Sequence, residues 1–334
     1  RFKAPTRLDQ PNAILAPGLI NTHTHAAMSL FRGIANDRKL EDWLQNFIFP
    51  AEAKNVDREF VRWGTRLALL EMMLSGTTTF TDMYYFEDTV AEETRAAGMR
   101  GILGQTVIGF PAPDFKTPAE QLVGAEAFLK RFSDNDLITP AVAPHAIYTT
   151  PDDTLQAARA LADKYQKPLL IHLSETKAEF DEARQKRGKT PTETLSDLGV
   201  LSGWTVAAHA VWLTEEDIQL LRASLAGIAH NPSSNMMLAS GIAPVPKLIA
   251  QGIPVGLGTD GPAGSNNDFD LFEEMDLAAK LQKVTGDPTA LTAQQAFAMA
   301  TIEGARALRM EHVIGSLEAG KFADVISVRL DSPR

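Results

Sequence analysis

A chain of 334 residues with 44% apolar content is long enough for one large domain or two ordinary ones, with a buried core. Its formal net charge of -10 and its lack of any basic run argue against nucleic acid or an anionic membrane surface as a partner, which leaves small molecules. With no cysteine there is no disulfide framework, thiolate metal site or cysteine nucleophile, so a metal here must be held by histidine and carboxylate.

Residues 1–11 are polar and carry no signal-peptide core, and no stretch approaches the ~20 consecutive apolar residues of a membrane span. No membrane partner and a cytoplasmic location are therefore expected. The first apolar run, 14–22, leads into His23 and His25. Side chains alternate faces along a strand, so residues two apart point the same way and two such imidazoles can grip one metal ion. The run 77–83 carries Asp82 near its end and 100–108 carries Gln105, after which 110–118 reads as a Pro-rich surface loop. The run 139–145 ends on His145, and Thr150-Pro151-Asp152-Asp153 then offers a capping hydroxyl, a first-turn proline and early acids to a helix.

Next, 168–173 carries His172, with Glu175 three residues on, and 205–211 carries His209 ahead of a helix opened by Thr214 and Asp217. The runs 226–231 and 253–260 bring His230 and Asp260, the latter among glycines that permit close backbone approach. Thr292 and Gln295 form a capping box before an Ala-rich helix reaching Leu308. Finally, 315–328 is a turn followed by a strand with no helix to pair with, expected in a small separate sheet.

Eight apolar runs, most separated by amphipathic helices, predict an α/β fold, specifically a closed (β/α)8 TIM barrel. Such a barrel presents its reactive groups where each strand passes into its following loop. Six of the seven histidines fall at such positions, together with Asp82, Gln105 and Asp260. His23, His25, His172 and Asp260 make a ligand set of three neutral imidazoles and a carboxylate, which suits one divalent cation, zinc first and iron second. A water activated by that ion is a nucleophile. Glu175 is placed to carry a proton to the substrate's leaving side, and Asp260 can accept the first proton from the water. His209 is expected to hydrogen-bond the water or the substrate atom under attack, or to serve as a ligand if the site is binuclear. One metal is favoured, because no strand-end lysine occurs in runs three to five to bridge two.

The segments Pro17 to His25, His172 to Glu175, His209, His230 to Asn235 and Gly258 to Gly261 resemble the amidohydrolase superfamily, and within it the 5'-methylthioadenosine/S-adenosylhomocysteine deaminases and neighbouring triazine hydrolases. The resemblance spans nearly the whole chain. It implies a mononuclear zinc or iron barrel over 18–309 with a small β-sandwich built from both chain ends, here curtailed to 1–17 and 310–334. It also implies the same four ligands, His23, His25, His172 and Asp260, and Glu175 as proton shuttle. Substrate contacts fall by resemblance on Trp43, Glu52 and His145. Glu52 would accept from the two ribose hydroxyls and Trp43 would supply an apolar face.

Three departures bear on the 5' end of the substrate. Gln105 stands where relatives that bind a homocysteine carboxylate commonly place arginine, Ile147 replaces a frequent proline, and Gly264 lengthens the loop after Asp260. The expectation is a metal-dependent hydrolytic deaminase of adenine nucleosides with a 5' thioether, with adenosine also a candidate, working as a single chain or a homo-oligomer. Its rivals are a deaminase or chlorohydrolase of a free heterocycle such as guanine or an s-triazine, and a non-catalytic scaffold that kept the barrel.

Overall fold

Alternation of apolar runs with amphipathic helices closes the chain into a barrel, seen in a computed structural model that describes residues 7–331. Residues 1–6 and 332–334, parts of the expected terminal segments, lie outside the described residues. The strands are β1 Ala13–Pro17, β2 Leu19–Thr24, β3 Thr77–Tyr84, β4 Arg100–Val107, β5 Ile138–Pro144, β6 Leu169–Leu173, β7 Thr205–His209, β8 Gly227–His230, β9 Val255–Leu257 and β10 Val325–Arg329. From β2 to β9 they form a closed parallel barrel, in which β9 returns to β2 through Asn21 and Leu257.

Parallel strands covered by helices are buried on both faces, and β4 and β7 are buried along their whole length. Ile20, Ile102, Leu170 and Val206, from four barrel strands, share one apolar cluster with Leu308 and Ile314 from beyond the last helices. Each such side chain contributes roughly 1.5–3 kcal/mol on burial.

The first apolar run divides in two at Gly18. A Cβ there would lie 2.0 Å from Thr78 Oγ1, so only glycine allows the chain to pass that close to β3. Before it, β1 leaves the barrel and pairs antiparallel with β10, from Ala13 opposite Arg329 to Pro17 opposite Val325. The chain ends thus meet as expected, but among the described residues they form one two-stranded sheet rather than two packed layers.

Capping boxes start the helices Glu215–Ser224 and Ala293–Met299, as Thr214 and Thr292 predict. Thr150 behaves differently. The helix Asp152–Tyr165 begins without a side-chain cap, and the buried Thr150 hydroxyl faces the Val107 carbonyl at 3.5 Å. The Ala-rich segment is also two helices, Ala293–Met299 and Ile302–Ala307, because the Ala300 carbonyl accepts from the backbone N–H of Ile20 at 2.8 Å instead of continuing the turn. Among the described residues no helix is long and apolar enough to cross a membrane.

Candidate active site

The carboxyl ends of the barrel strands converge on a pocket that His25, His172, His209, Glu175 and Asp260 line. His23 and His25, two apart at the end of β2, place their rings 4.9 Å from each other. His172, on β6, lies 5.0 Å from His23, and His209, ending β7, lies 5.6 Å from both His23 and His172. Asp260 follows β9, with its backbone N–H on the His23 carbonyl at 3.0 Å. Its Oδ1 is 3.5 Å from His23 Nε2 and 3.3 Å from His25 Nε2. The expected ligands His23, His25, His172 and Asp260 are therefore gathered in one cluster, and His209 Nε2 stands beside them, 3.8 Å from Asp260 Oδ2.

Strand exits around the cluster are sharply turned. Ser174, His209, Ala210 and Asp260 all have left-handed backbone conformations, with φ of 47°, 73°, 48° and 62°. Such conformations cost roughly 1–3 kcal/mol each in non-glycine residues, and here they coincide with the exits of β6, β7 and β9. Glycine answers the crowding at one point: a Cβ on Gly258 would meet Asn231 Oδ1 at 2.3 Å and His23 N at 2.9 Å.

Hydrogen bonds on the outer ring nitrogens orient the imidazoles. His25 Nδ1–H donates to the Met83 carbonyl at 2.7 Å, His172 Nδ1–H to the His145 carbonyl at 2.9 Å, and His209 Nδ1 faces Asn235 Oδ1 at 3.0 Å. The two carbonyl partners commit Nδ1 as donor in His25 and His172 and direct Nε2 into the cluster, while His209 Nδ1 also faces the Asn231 amide nitrogen at 3.3 Å. Yet His172 Nε2 and His25 Nε2 lie 3.4 Å apart, and His23 Nε2 is buried without a hydrogen-bond partner. Lone pairs converging at that distance need a cation between them, so this donor set fits a divalent metal. Ligand atoms of His23, His25 and Asp260, and of His23, His172 and His209, lie within 4.8 Å of one another.

Burial and the two carboxylates pull the histidines in opposite directions. Burial lowers His23 to about 4 and carries His172 well below the usual imidazole range. Burial also opposes charge on His25, but the Asp260 and Asp82 carboxylates outweigh it and raise His25 to about 9. Asp260, although buried, is held well below the carboxylate range by His23 and His25. Ser234 Oγ donates to its Oδ2 at 2.6 Å and the Gly261 N–H to its Oδ1 at 2.7 Å. Glu175 is different: burial raises it, against the opposing influence of His209, whose Nε2 is 3.9 Å from Glu175 Oε2.

Of the other expected residues, Glu52 lines the pocket from the helix Phe49–Asn55, where burial raises it to about 7 against hydrogen bonding from Tyr84 and Tyr85. Trp43 lines it too, its indole N–H donating to the Ala263 carbonyl at 2.8 Å. His145 sits on the wall with its ring 4.7 Å from His172, and burial lowers it to about 3. Gln105 is the exception. It does not line the pocket, because its amide donates to Asp114 Oδ2 at 2.8 Å, on the loop that passes behind β4. His230 is also apart from the cluster, buried with neither ring nitrogen bonded.

Sequence reasoning gives no role to Tyr84, Tyr85, Ser234, Asn235 or Glu179, all of which touch the expected residues. Two local signals bear on them: Tyr84-Tyr85 is an aromatic pair two residues after Asp82 at a strand exit, and Ser234 and Asn235 fall within the segment His230 to Asn235.

Residues 14–333 match the model of the Amidohydrolase family. A 5-methylthioadenosine/S-adenosylhomocysteine deaminase 1 of Syntrophus aciditrophicus is 49% identical over 334 residues, covering 100% of this chain and 75% of that protein. A 5'-deoxyadenosine deaminase of Methanocaldococcus jannaschii is 43% identical over 330 residues, 98% of this chain and 77% of that protein. The crystal structure of an adenosine deaminase from Xanthomonas campestris with bound zinc superposes with a TM-score of 0.94 at 40% identity, covering 96% of this chain and 73% of that one.

Proposed function

Since the chain belongs to the amidohydrolase family, as a hydrolase acting on carbon–nitrogen bonds, we propose that it deaminates adenine nucleosides bearing a 5' thioether. The candidate substrates are 5'-methylthioadenosine, S-adenosylhomocysteine and adenosine, each giving the inosine-type nucleoside and ammonia. The reading places the enzyme in the cytoplasm with a small-molecule partner. The observation that carries it is the flanking of His209 Nε2 by two carboxyl groups of opposite character, Glu175 at 3.9 Å and Asp260 at 3.8 Å.

His23, His25, His172 and Asp260 would hold one zinc ion, with iron as the alternative. When bound, such an ion supplies Lewis-acid activation of a water molecule.

The chain's own groups do the rest. Glu175, whose proton affinity burial raises, donates to the ring nitrogen next to the amino-bearing carbon, which makes that carbon electrophilic. Asp260, held in its ionised form by its histidine neighbours, takes one proton from the attacking water and passes it to the amino group as the carbon–nitrogen bond breaks; the second water proton goes to Glu175 as the carbonyl forms, so that ammonia leaves and both carboxyls are restored. His209, its Nδ1–H held by Asn235, offers Nε2 as an acceptor that steadies the water's second hydrogen. Two carboxyls with environments that push them apart thus divide the acid and base tasks. Glu52 accepts from the ribose hydroxyls and Trp43 and His145 wall the nucleoside.

The test is ammonia release from 5'-methylthioadenosine, S-adenosylhomocysteine, adenosine, guanine and a chloro-triazine, with metal content measured on the same sample. Glu52→Gln should cut nucleoside turnover by about tenfold or more while sparing any heterocycle without a ribose. Turnover confined to guanine or the triazine overturns the nucleoside assignment.

A further inference from the structure

The nucleoside reading leaves the 5' group open, and the pocket wall bears on it. With the amino-bearing ring against Glu175, His209 and Asp260, and the ribose against Glu52, the wall that remains for the 5' substituent is Leu40, Trp43, Leu44, Phe49, Tyr148 and Leu238. These side chains are apolar or aromatic. No lysine or arginine stands among the described lining residues, and the carboxyl of Glu52 faces the same space. Gln105, which could have reached this wall, is held outside the lining by the Asp114 Oδ2 on the loop behind β4. The lysine on that loop, Lys116, spends its ammonium on the carbonyls of Ala112 and Pro113, at 2.9 and 3.5 Å.

Candidate 5' groups differ sharply against such a wall. A methylthio group needs only apolar contact. A homocysteine tail brings an ammonium, for which the carboxyl of Glu52 and the tyrosine hydroxyls of the wall are acceptors, and a carboxylate, which would give up hydration with no lysine or arginine on the wall to replace it. We infer that the site is selective for adenine nucleosides whose 5' substituent carries no carboxylate, so that it favours 5'-methylthioadenosine over S-adenosylhomocysteine. The penalty falls on the carboxylate, not on the length of the tail. This rests on the nucleoside reading above, and the charge pattern of the wall carries it one step further.

The experiment measures kcat/KM of the zinc-loaded protein with four adenosine thioethers: 5'-methylthio, 5'-(3-aminopropylthio), 5'-(3-carboxypropylthio) and S-adenosylhomocysteine. The aminopropyl compound should stay within about threefold of the methylthio compound, while both carboxylates fall by about tenfold or more. Tyr148→Arg, at the exposed rim of the pocket, should raise the carboxypropyl-to-methylthio ratio by about tenfold by supplying the missing cation. S-adenosylhomocysteine within about twofold of the methylthio compound would overturn the inference, and so would an aminopropyl compound as poor as the carboxypropyl one, since the filter would then be length. Failure of all four to release ammonia from metal-loaded protein overturns the nucleoside reading itself, and the inference with it.

Discussion

The Glu179 carboxylate accepts the backbone N–H of Glu175 at 2.7 Å. It also faces the Ser174 N–H at 3.3 Å, and Ser174 is in the left-handed conformation that turns β6 out into its loop. Buried Glu179 therefore holds the bend that carries Glu175 over the cluster. Removing it with Glu179→Ala should lower kcat by roughly 10–100-fold, as expected for a catalytic group displaced by about 1 Å, with KM little changed. Glu179→Gln keeps an acceptor and should recover most of the loss. Steady-state kinetics on folded variants, checked by circular dichroism, decide it; equal defects in both variants would rule out positioning through the hydrogen bond.

Asp82 brackets a ligand in a similar way. Its Oδ1 accepts from the Ala26 N–H at 2.6 Å and from Thr24 Oγ1 at 2.7 Å, the residues on either side of His25. The next carbonyl along β3, of Met83, receives His25 Nδ1–H. Asp82→Ala should weaken zinc binding by roughly 10–100-fold, the usual loss when an outer partner of a ligand is removed. Competition with a chromogenic chelator reads this directly. An affinity equal to that of the unaltered protein would show that the His25 tautomer bond alone suffices.

Gly64 in the helix Arg58–Leu74 lets that helix touch the short helix Ala26–Phe31, since a Cβ there would fall 2.3 Å from the Ala27 carbonyl oxygen. Gly64→Ala should cost about 1–3 kcal/mol by overpacking and depress activity as well, because the displaced segment begins one residue after His25. Gly98→Ala is the contrast. Its φ of 74° penalises alanine, but open space surrounds it, so stability should fall by about 1 kcal/mol with activity untouched. Thermal melts paired with assays separate the two.

Glu274 links stability to pH. It accepts the Ser233 N–H at 3.1 Å and the Asn266 amide at 2.9 Å, and burial raises it from 4.5 to about 8. A carboxyl raised on folding favours the native state fully below its unfolded value and loses that contribution as pH climbs through its folded value. Melting temperature should therefore decline from about pH 4.5 and level off above about pH 8, and Glu274→Gln should flatten that decline. An unchanged slope in the variant would assign the pH dependence to other buried carboxyls, Glu179 first.

Much of this architecture is legible before any coordinates, because it rests on short-range periodicity. A parallel barrel requires apolar runs alternating with amphipathic helices, and the runs that lead into His25, end on His145 and carry His172 show both the strand and its reactive end. What is not legible depends on contacts between distant loops. Gln105 sits at a strand end like its neighbours, but Asp114 on the following loop claims its amide, a choice that strand periodicity does not encode. Thr150 looks like a cap and is instead drawn inward to Val107. Ser234 and Asn235 stand in a segment that the resemblance marks, but they reach Asp260 and His209 across 26 positions of sequence, so no local pattern announces those partners.

The pairing of Ala13 with Arg329 at the outer end of the β1–β10 ladder also has a mechanical meaning. The two chain segments that lead away from this sheet leave it side by side, so tension between them peels the ladder open one rung at a time instead of shearing all rungs together. The clasp is the weak link under load, and it can yield while the barrel beneath it stays closed.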